Sequence, residues 1–171
     1  APDASFGRAL CRREAGDPKA AIAHIDAYLK SKPHRTHTGD AVYGRGLAQV
    51  AISDFSGAAK TFAGLIGEHP EYAAIDKAHY ELGWALKSLD KHAEAAEHFS
   101  QIARNYPDSP LAAEAWFHVG EDHYENKEYA EAATAYRAVK NKSPGSELGE
   151  KALYKLGWAK FQLKDYNDSL I

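Results

Sequence analysis

The segment His79-Tyr80-Glu81-Leu82-Gly83, followed by Ala95-Ala96-Glu97-His98-Phe99 and then by Pro107, decides the fold. Its spacing returns 37 residues later as Trp116-Phe117-His118-Val119-Gly120, Ala132-Ala133-Thr134-Ala135-Tyr136 and Pro144. A step of 37 then orders the whole chain. Prolines recur at Pro33, Pro70, Pro107 and Pro144, and glycines at Gly46, Gly83, Gly120 and Gly157, with Ala9 in the equivalent earlier place. Alanines recur at Ala21, Ala58, Ala95 and Ala132, followed by Ser169. Large residues form three further columns: Ile25, Phe62, Phe99, Tyr136; Tyr28, Leu65, Ile102, Val139; and the all-aromatic Phe6, Tyr43, Tyr80, Phe117, Tyr154. Six columns in one register mark a repeat architecture, in which each unit buries its apolar face against its neighbours.

Each unit reads as two antiparallel helices. Apolar residues recur at helical spacing, as in Leu82, Leu86 and Leu89. Gly83 and Ala95 are expected where two helices cross closely, and Phe99 and Tyr136 in the space between units. Asp90-Lys91 and Asn126-Lys127 are polar turns. Pro107 and Pro144 end second helices, because proline cannot continue a helix and restrains the residue before it. Ser109-Pro110 reads as an N-cap followed by a first-turn proline.

These motifs resemble the tetratricopeptide repeat family, whose unit reads W-x2-L-G-x2-Y…A-x3-F…P. The likeness spans units of about 2–38, 39–75, 76–112 and 113–149 and a shortened unit of 150–171, taken as one array. The family's Trp position is filled by Trp116 once and by Ser5, Val42, His79 and Leu153 elsewhere. Its second-turn Tyr position holds Leu86, His123 and Lys160. The resemblance implies an all-α fold, a right-handed α-α superhelical solenoid of helix pairs. The three residues by which 37 exceeds the family's usual 34 are expected as nearly one extra turn opening the first helix of a unit, for example Pro110 to Ala113. The 37-residue step and the stretch Tyr106-Pro107-Asp108-Ser109-Pro110 also resemble a bacterial cell-envelope subgroup. Its members are the Tol–Pal-associated cell-division coordinator and the lipoprotein of the outer-membrane assembly machine. That narrower likeness favours periplasm or envelope over cytoplasm.

The resemblance further implies a concave face, built from first helices, that binds a protein or peptide partner. The matching positions are Tyr43, Tyr80, Trp84, Lys87, Phe117, Glu121, Tyr124, Glu125, Tyr154, Trp158 and Phe161. Aromatic residues are the usual anchors of interfaces. The all-aromatic column also has a plain packing explanation, whereas Trp84 and Trp158 are not demanded by packing. Glu121 and Glu125 lie on one helical face. With Asp122 and Glu114 they form either a site for a basic segment or a solvated acidic surface.

Other chemistry finds little footing. A net charge of −3 gives no footprint for nucleic acid. No apolar run approaches the ~18 residues of a membrane span. The single cysteine, Cys11, excludes an internal disulfide and reads as a small partly buried residue. The nine histidines are scattered. His34 with His37, and His118 with Asp122, are the only metal-like pairs, and neither has a third ligand in sequence. No phosphate loop, nucleophile elbow or paired-His zinc motif occurs. The expectation is a non-enzymatic scaffold without catalytic residues, metal or cofactor. The alternative is a self-associating structural module of a cell-envelope assembly. The chain lacks methionine and stops in mid-helix with Tyr166, Leu170 and Ile171 unsheltered, where a solenoid normally ends in a polar cap. It therefore reads as a fragment whose last residues fray or self-associate end to end.

Overall fold

The computed structural model of the chain describes residues 16–31 and 35–165. The expectations placed on Cys11, His34 and residues 166–171 lie outside that range. Among the described residues there are eight helices and no strand: α1 (Pro18–Lys30), α2 (Arg35–Ala51), α3 (Phe55–Glu68), α4 (Ile75–Lys87), α5 (His92–Asn105), α6 (Ala112–Glu125), α7 (Tyr129–Lys142) and α8 (Glu147–Gln162). They fall into two compact units that part between Lys91 and His92.

In the first unit each helix packs on the next, α1 on α2, α2 on α3 and α3 on α4, and α2 also touches α4. The second unit repeats the pattern, with α5 on α6, α6 on α7, α7 on α8, and α6 touching α8. Short connections force neighbours to run antiparallel, and contact between alternate helices stacks one pair on the next. This is the all-α helical-repeat solenoid expected from the columns.

The columns acquire their physical meaning in these contacts. A Cβ on Gly120 would stand 2.7 Å from Cε1 of Tyr136, and one on Gly46 would stand 2.5 Å from Cε1 of Phe62. The second helix therefore lays its aromatic ring directly on the glycine of the first. Phe62 and Tyr136 are among the largest fully buried side chains, with Phe99, Ile25, Leu65 and Ile102. Burial of each is worth roughly 1.5–3 kcal/mol. Tyr136 also shares a core with Ala152, Leu156 and Ala159 of α8, so it joins its own pair to the next. Phe99 stacks on His118 of α6 at 4.5 Å between centroids, again across a pair boundary.

The turns from first to second helix repeat as faithfully. Ser53, Asp90, Lys127 and Lys164 all have φ near +60° (61°, 59°, 63° and 60°) and stand 37 residues apart. The residue after each donates its N–H five residues back: Asp54 to Gln49, Lys91 to Leu86, Glu128 to His123 and Asp165 to Lys160, at 2.8–3.0 Å. These are left-handed C-caps of the kind glycine usually fills, here built without glycine. After the turn, Asp54 caps α3 by accepting from the Gly57 N–H at 2.9 Å.

The three extra residues of the period do not behave uniformly. α8 opens early, at Glu147, because Ser146 caps it by accepting from the Gly149 N–H at 3.0 Å. α4 and α6 open later, at Ile75 and Ala112, and the expected extra turn at Pro110–Ala113 is not helical throughout. Residues 106–112 instead form successive turns, Ser109 N–H to Tyr106 O and Ala112 N–H to Ser109 O, both 3.0 Å. Pro110 has no N–H and biases Ser109 away from helix. Ser109 does cap, but its Oγ accepts from Leu111 N–H ahead of the helix rather than from within its first turn.

The first pair carries a polar network of its own. Arg45 Nε donates to Asp26 at 2.8 Å and its Nη1 to Thr61 Oγ1 at 2.9 Å. Thr61 in turn donates to Gln49 Oε1 at 2.6 Å, and Gln49 Nε2 donates to Asp54 at 3.2 Å. Gln49 and Thr61 are buried, so this chain of bonds satisfies groups that water does not reach.

Two predictions follow from the packing and the turns. Gly120→Val drives a branched side chain into the Tyr136 ring and is expected to cost about 3 kcal/mol, read as a lowered midpoint in denaturant unfolding. Lys127→Gly relieves a left-handed lysine and is expected to add about 0.5–1 kcal/mol. Asp90→Gly should gain less, because aspartate tolerates that conformation better.

Candidate partner-binding face

In the first unit the candidate residues sit on α2 and α4. Tyr43 is half-buried, its ring 5.7 Å from Phe62 and 6.1 Å from Tyr72. Its hydroxyl donates to Glu81 of α4; burial pushes the Glu81 carboxyl up, and that hydrogen bond pulls it back down. On α4, Tyr80 meets Trp84 edge-on at 6.2 Å. Trp84 is 38 % exposed, and Lys87 Nζ lies 5.1 Å from its ring centroid. Two turns of helix thus present a tyrosine, a tryptophan and a cation in a row.

In the second unit the candidates sit on α6 and α8. Phe117 is half-buried against Tyr136, 5.8 Å between centroids. Glu121 accepts from the Tyr136 hydroxyl and from Lys155 Nζ at 3.1 Å. Burial, reinforced by Glu121, raises the Tyr136 pKa and keeps the hydroxyl a donor. Lys155 lies 5.9 Å from the Tyr124 ring, and Tyr124 packs on Tyr129 at 5.4 Å. Glu125 is exposed. On α8, Tyr154, Trp158 and Phe161 are 66 %, 43 % and 51 % exposed and form an edge-to-face ladder with centroid steps of 6.2 and 5.9 Å. Tyr154 occupies the Phe117 position of its unit, but among the described residues no helix follows α8 to lie against it.

The four acidic residues grouped from sequence do not share one surface. Glu121 is held in the Tyr136–Lys155 network. Glu114 lies 4.0 Å from His118 Nε2. Asp122 lines a cleft on another side of α6, where Asn126 Nδ2 donates to it at 3.4 Å. His37 lies in helix α2 rather than in a turn. No group of three His, Cys, Asp or Glu side chains comes together among the described residues. None of the described helices is long and apolar enough to cross a membrane. The sequence reading gave no binding role to the cleft residues Arg104, Trp116 and His123; the one available signal was Trp116, which stands alone in its column.

Comparison with known proteins bears on the fold. The chain is similar in fold to MamA from Desulfovibrio magneticus RS-1, with TM-score 0.75 and 15% identity over 98% of this chain and 88% of that one. It is similar as well to YrrB, described as a TPR protein with an unusual peptide-binding site, with TM-score 0.73 and 21% identity over 97% of this chain and 79% of that one. No curated protein matches it in sequence. The sequence profile of the tetratricopeptide repeat matches residues 1–36, 43–110 and 80–147, most of the chain. With the glycine–aromatic contact and the 37-residue register described above, this makes the chain a member of the tetratricopeptide repeat family.

Proposed function

We propose that the protein is a non-enzymatic scaffold that binds a protein or peptide partner through the aromatic positions on its first helices. The observation that carries this reading is the exposure of Trp84 and Trp158, equivalent residues two repeats apart, each braced edge-on by an aromatic one turn earlier. Large apolar rings held rigidly in water lose little conformational freedom on binding and suit interface anchors. Tyr43, Phe117 and Tyr124 contribute through packing that stiffens the face, and Glu121 by holding Lys155 beside Tyr124. Lys87 adds a cation beside Trp84 on α4, and Glu125 an exposed carboxylate on α6. Family membership supports the reading, as does the peptide-binding description of YrrB.

A second copy of the chain is the alternative occupant. It is favoured by the ladder of exposed rings on α8, Tyr154, Trp158 and Phe161. A self-associating module of a bacterial cell-envelope assembly is the setting proposed for it, on the 37-residue step and the Tyr106–Pro110 segment alone.

Panning a displayed peptide library on the protein should enrich a motif that the Trp84→Ala/Trp158→Ala double variant fails to enrich, while far-UV circular dichroism of the variant is unchanged. Equal enrichment by a folded double variant overturns the reading that Trp84 and Trp158 anchor the partner. Sedimentation over a concentration series separates the alternative: mass that rises with concentration and falls back in the Tyr154→Ala/Trp158→Ala variant supports it, and a monomer throughout rejects it.

A further inference from the structure

We infer that the second unit carries another docking groove, on a different side of α6 from Phe117, Glu121 and Tyr124, and that its occupant is an extended basic peptide segment pairing an aliphatic side chain with a lysine or arginine. Two clefts, of about 390 and 270 Å³, lie against α6. The larger is bounded by α5 and the smaller by α7, and they share Arg104, Val119 and His123, so they form one groove crossing the helix.

The two halves differ in chemistry. The α7 half has an apolar floor of Trp116, Val119 and Ala135 with Glu131 at its wall. The α5 half is the more polar, lined by Glu97, Ser100 and Gln101 of α5 and by Asp122 of α6. Arg104 is the one basic side chain lining either half apart from the histidine. His123 is engaged through Nδ1 with Glu128 at 2.6 Å. Burial raises the Asp122 pKa against the lowering pull of His123, with the charges of Glu125 and Glu128 adding to the rise. A bound cation offsets that unfavourable field.

Charge complementarity therefore selects the occupant. An acidic peptide meets three carboxylates and one guanidinium, while a basic one finds a carboxylate on each wall. An aliphatic side chain fits the Trp116 floor, and an extended chain places alternate side chains on the same side, so one residue fills the apolar half while its neighbour on that side reaches Glu97 and Asp122. The helices carrying the groove are fixed by the Phe99–His118 and Gly120–Tyr136 contacts, so the site is pre-formed. This inference does not rest on the reading of Trp84 and Trp158 as anchors.

The three tryptophans separate the surfaces, since Trp116 lines the groove and Trp84 and Trp158 do not. The full chain, labelled with ¹⁵N at the indole nitrogens and assigned with Trp116→Phe, is titrated with a blocked Lys-Lys-Leu-Leu-Lys-Lys peptide, which sets leucine and lysine two residues apart on the same side of an extended chain, and with its glutamate counterpart. The lysine peptide should shift the Trp116 signal saturably, less so at high salt, and the glutamate peptide should not. Glu97→Gln/Glu131→Gln, at two exposed positions, should weaken the effect on the order of fivefold. The Trp116 shift should persist in Trp84→Ala/Trp158→Ala, which tests the groove apart from those anchors. A stationary Trp116 signal, movement confined to Trp84 or Trp158, equal response to both peptides, or an unaffected Glu97→Gln/Glu131→Gln variant overturns the inference.

Discussion

The architecture depends on how closely two helices of a pair approach. A ring on the second helix lies where a side chain of the first would otherwise be, Tyr136 on Gly120 and Phe62 on Gly46. The absence of a Cβ lets the ring come close, and Tyr136, which closes its own pair, also forms part of the core against the next. Everything outside follows from that spacing. With the cores filled in this way, the turns between helices are held to one geometry. The faces turned away from the ring are left as regular surfaces on which exposed side chains stand at fixed intervals.

The fold was legible in the sequence because this constraint acts on single positions. Glycine fits under the ring at Gly46 and Gly120, a large residue fills the gap and small residues fit beside it, so each requirement leaves a column that returns every 37 residues. The candidate face was legible in part. Its aromatic positions follow from register, and Trp84 and Trp158 emerged as exposed rings where no packing rule asks for tryptophan. The role of Glu121 was not legible, because it depends on Tyr136 and Lys155, 15 and 34 residues away. An acidic residue beside other acidic residues looks like part of a patch until its long-range partners are known. The start of α6 was misjudged because a proline in a first turn and a proline in a preceding turn leave the same local signature. Only the competition between Ser109, Leu111 and Ala112 for hydrogen bonds decides it. The clefts against α6 were hidden because they are made by the spacing of three helices.

The two sides of α6 illustrate how one helix serves different chemistries. Phe117, Glu121 and Tyr124 point one way and Trp116, Val119, Asp122 and His123 another. In a repeat that stacks only on its neighbours, the side chains not used in packing are free to diverge, and their chemistry need not agree from one face to the other.

The network of Asp26, Arg45, Gln49 and Thr61 bears on how such a chain avoids assembling wrongly. Its repeats are alike enough that a first helix of one unit offers a plausible surface to the second helix of another. Arg45 is replaced by Leu82, Val119 and Leu156 in the later units, and Thr61 by His98 and Ala135. Were α2 to pair with the second helix at Ala135, Arg45 would lose its hydroxyl acceptor and Gln49 the donor for its side-chain carbonyl, a penalty that leucine at the same place would never incur. The buried polar chain thus acts as a proofreading mark, giving one pair in a near-uniform array an address that only its own partner satisfies.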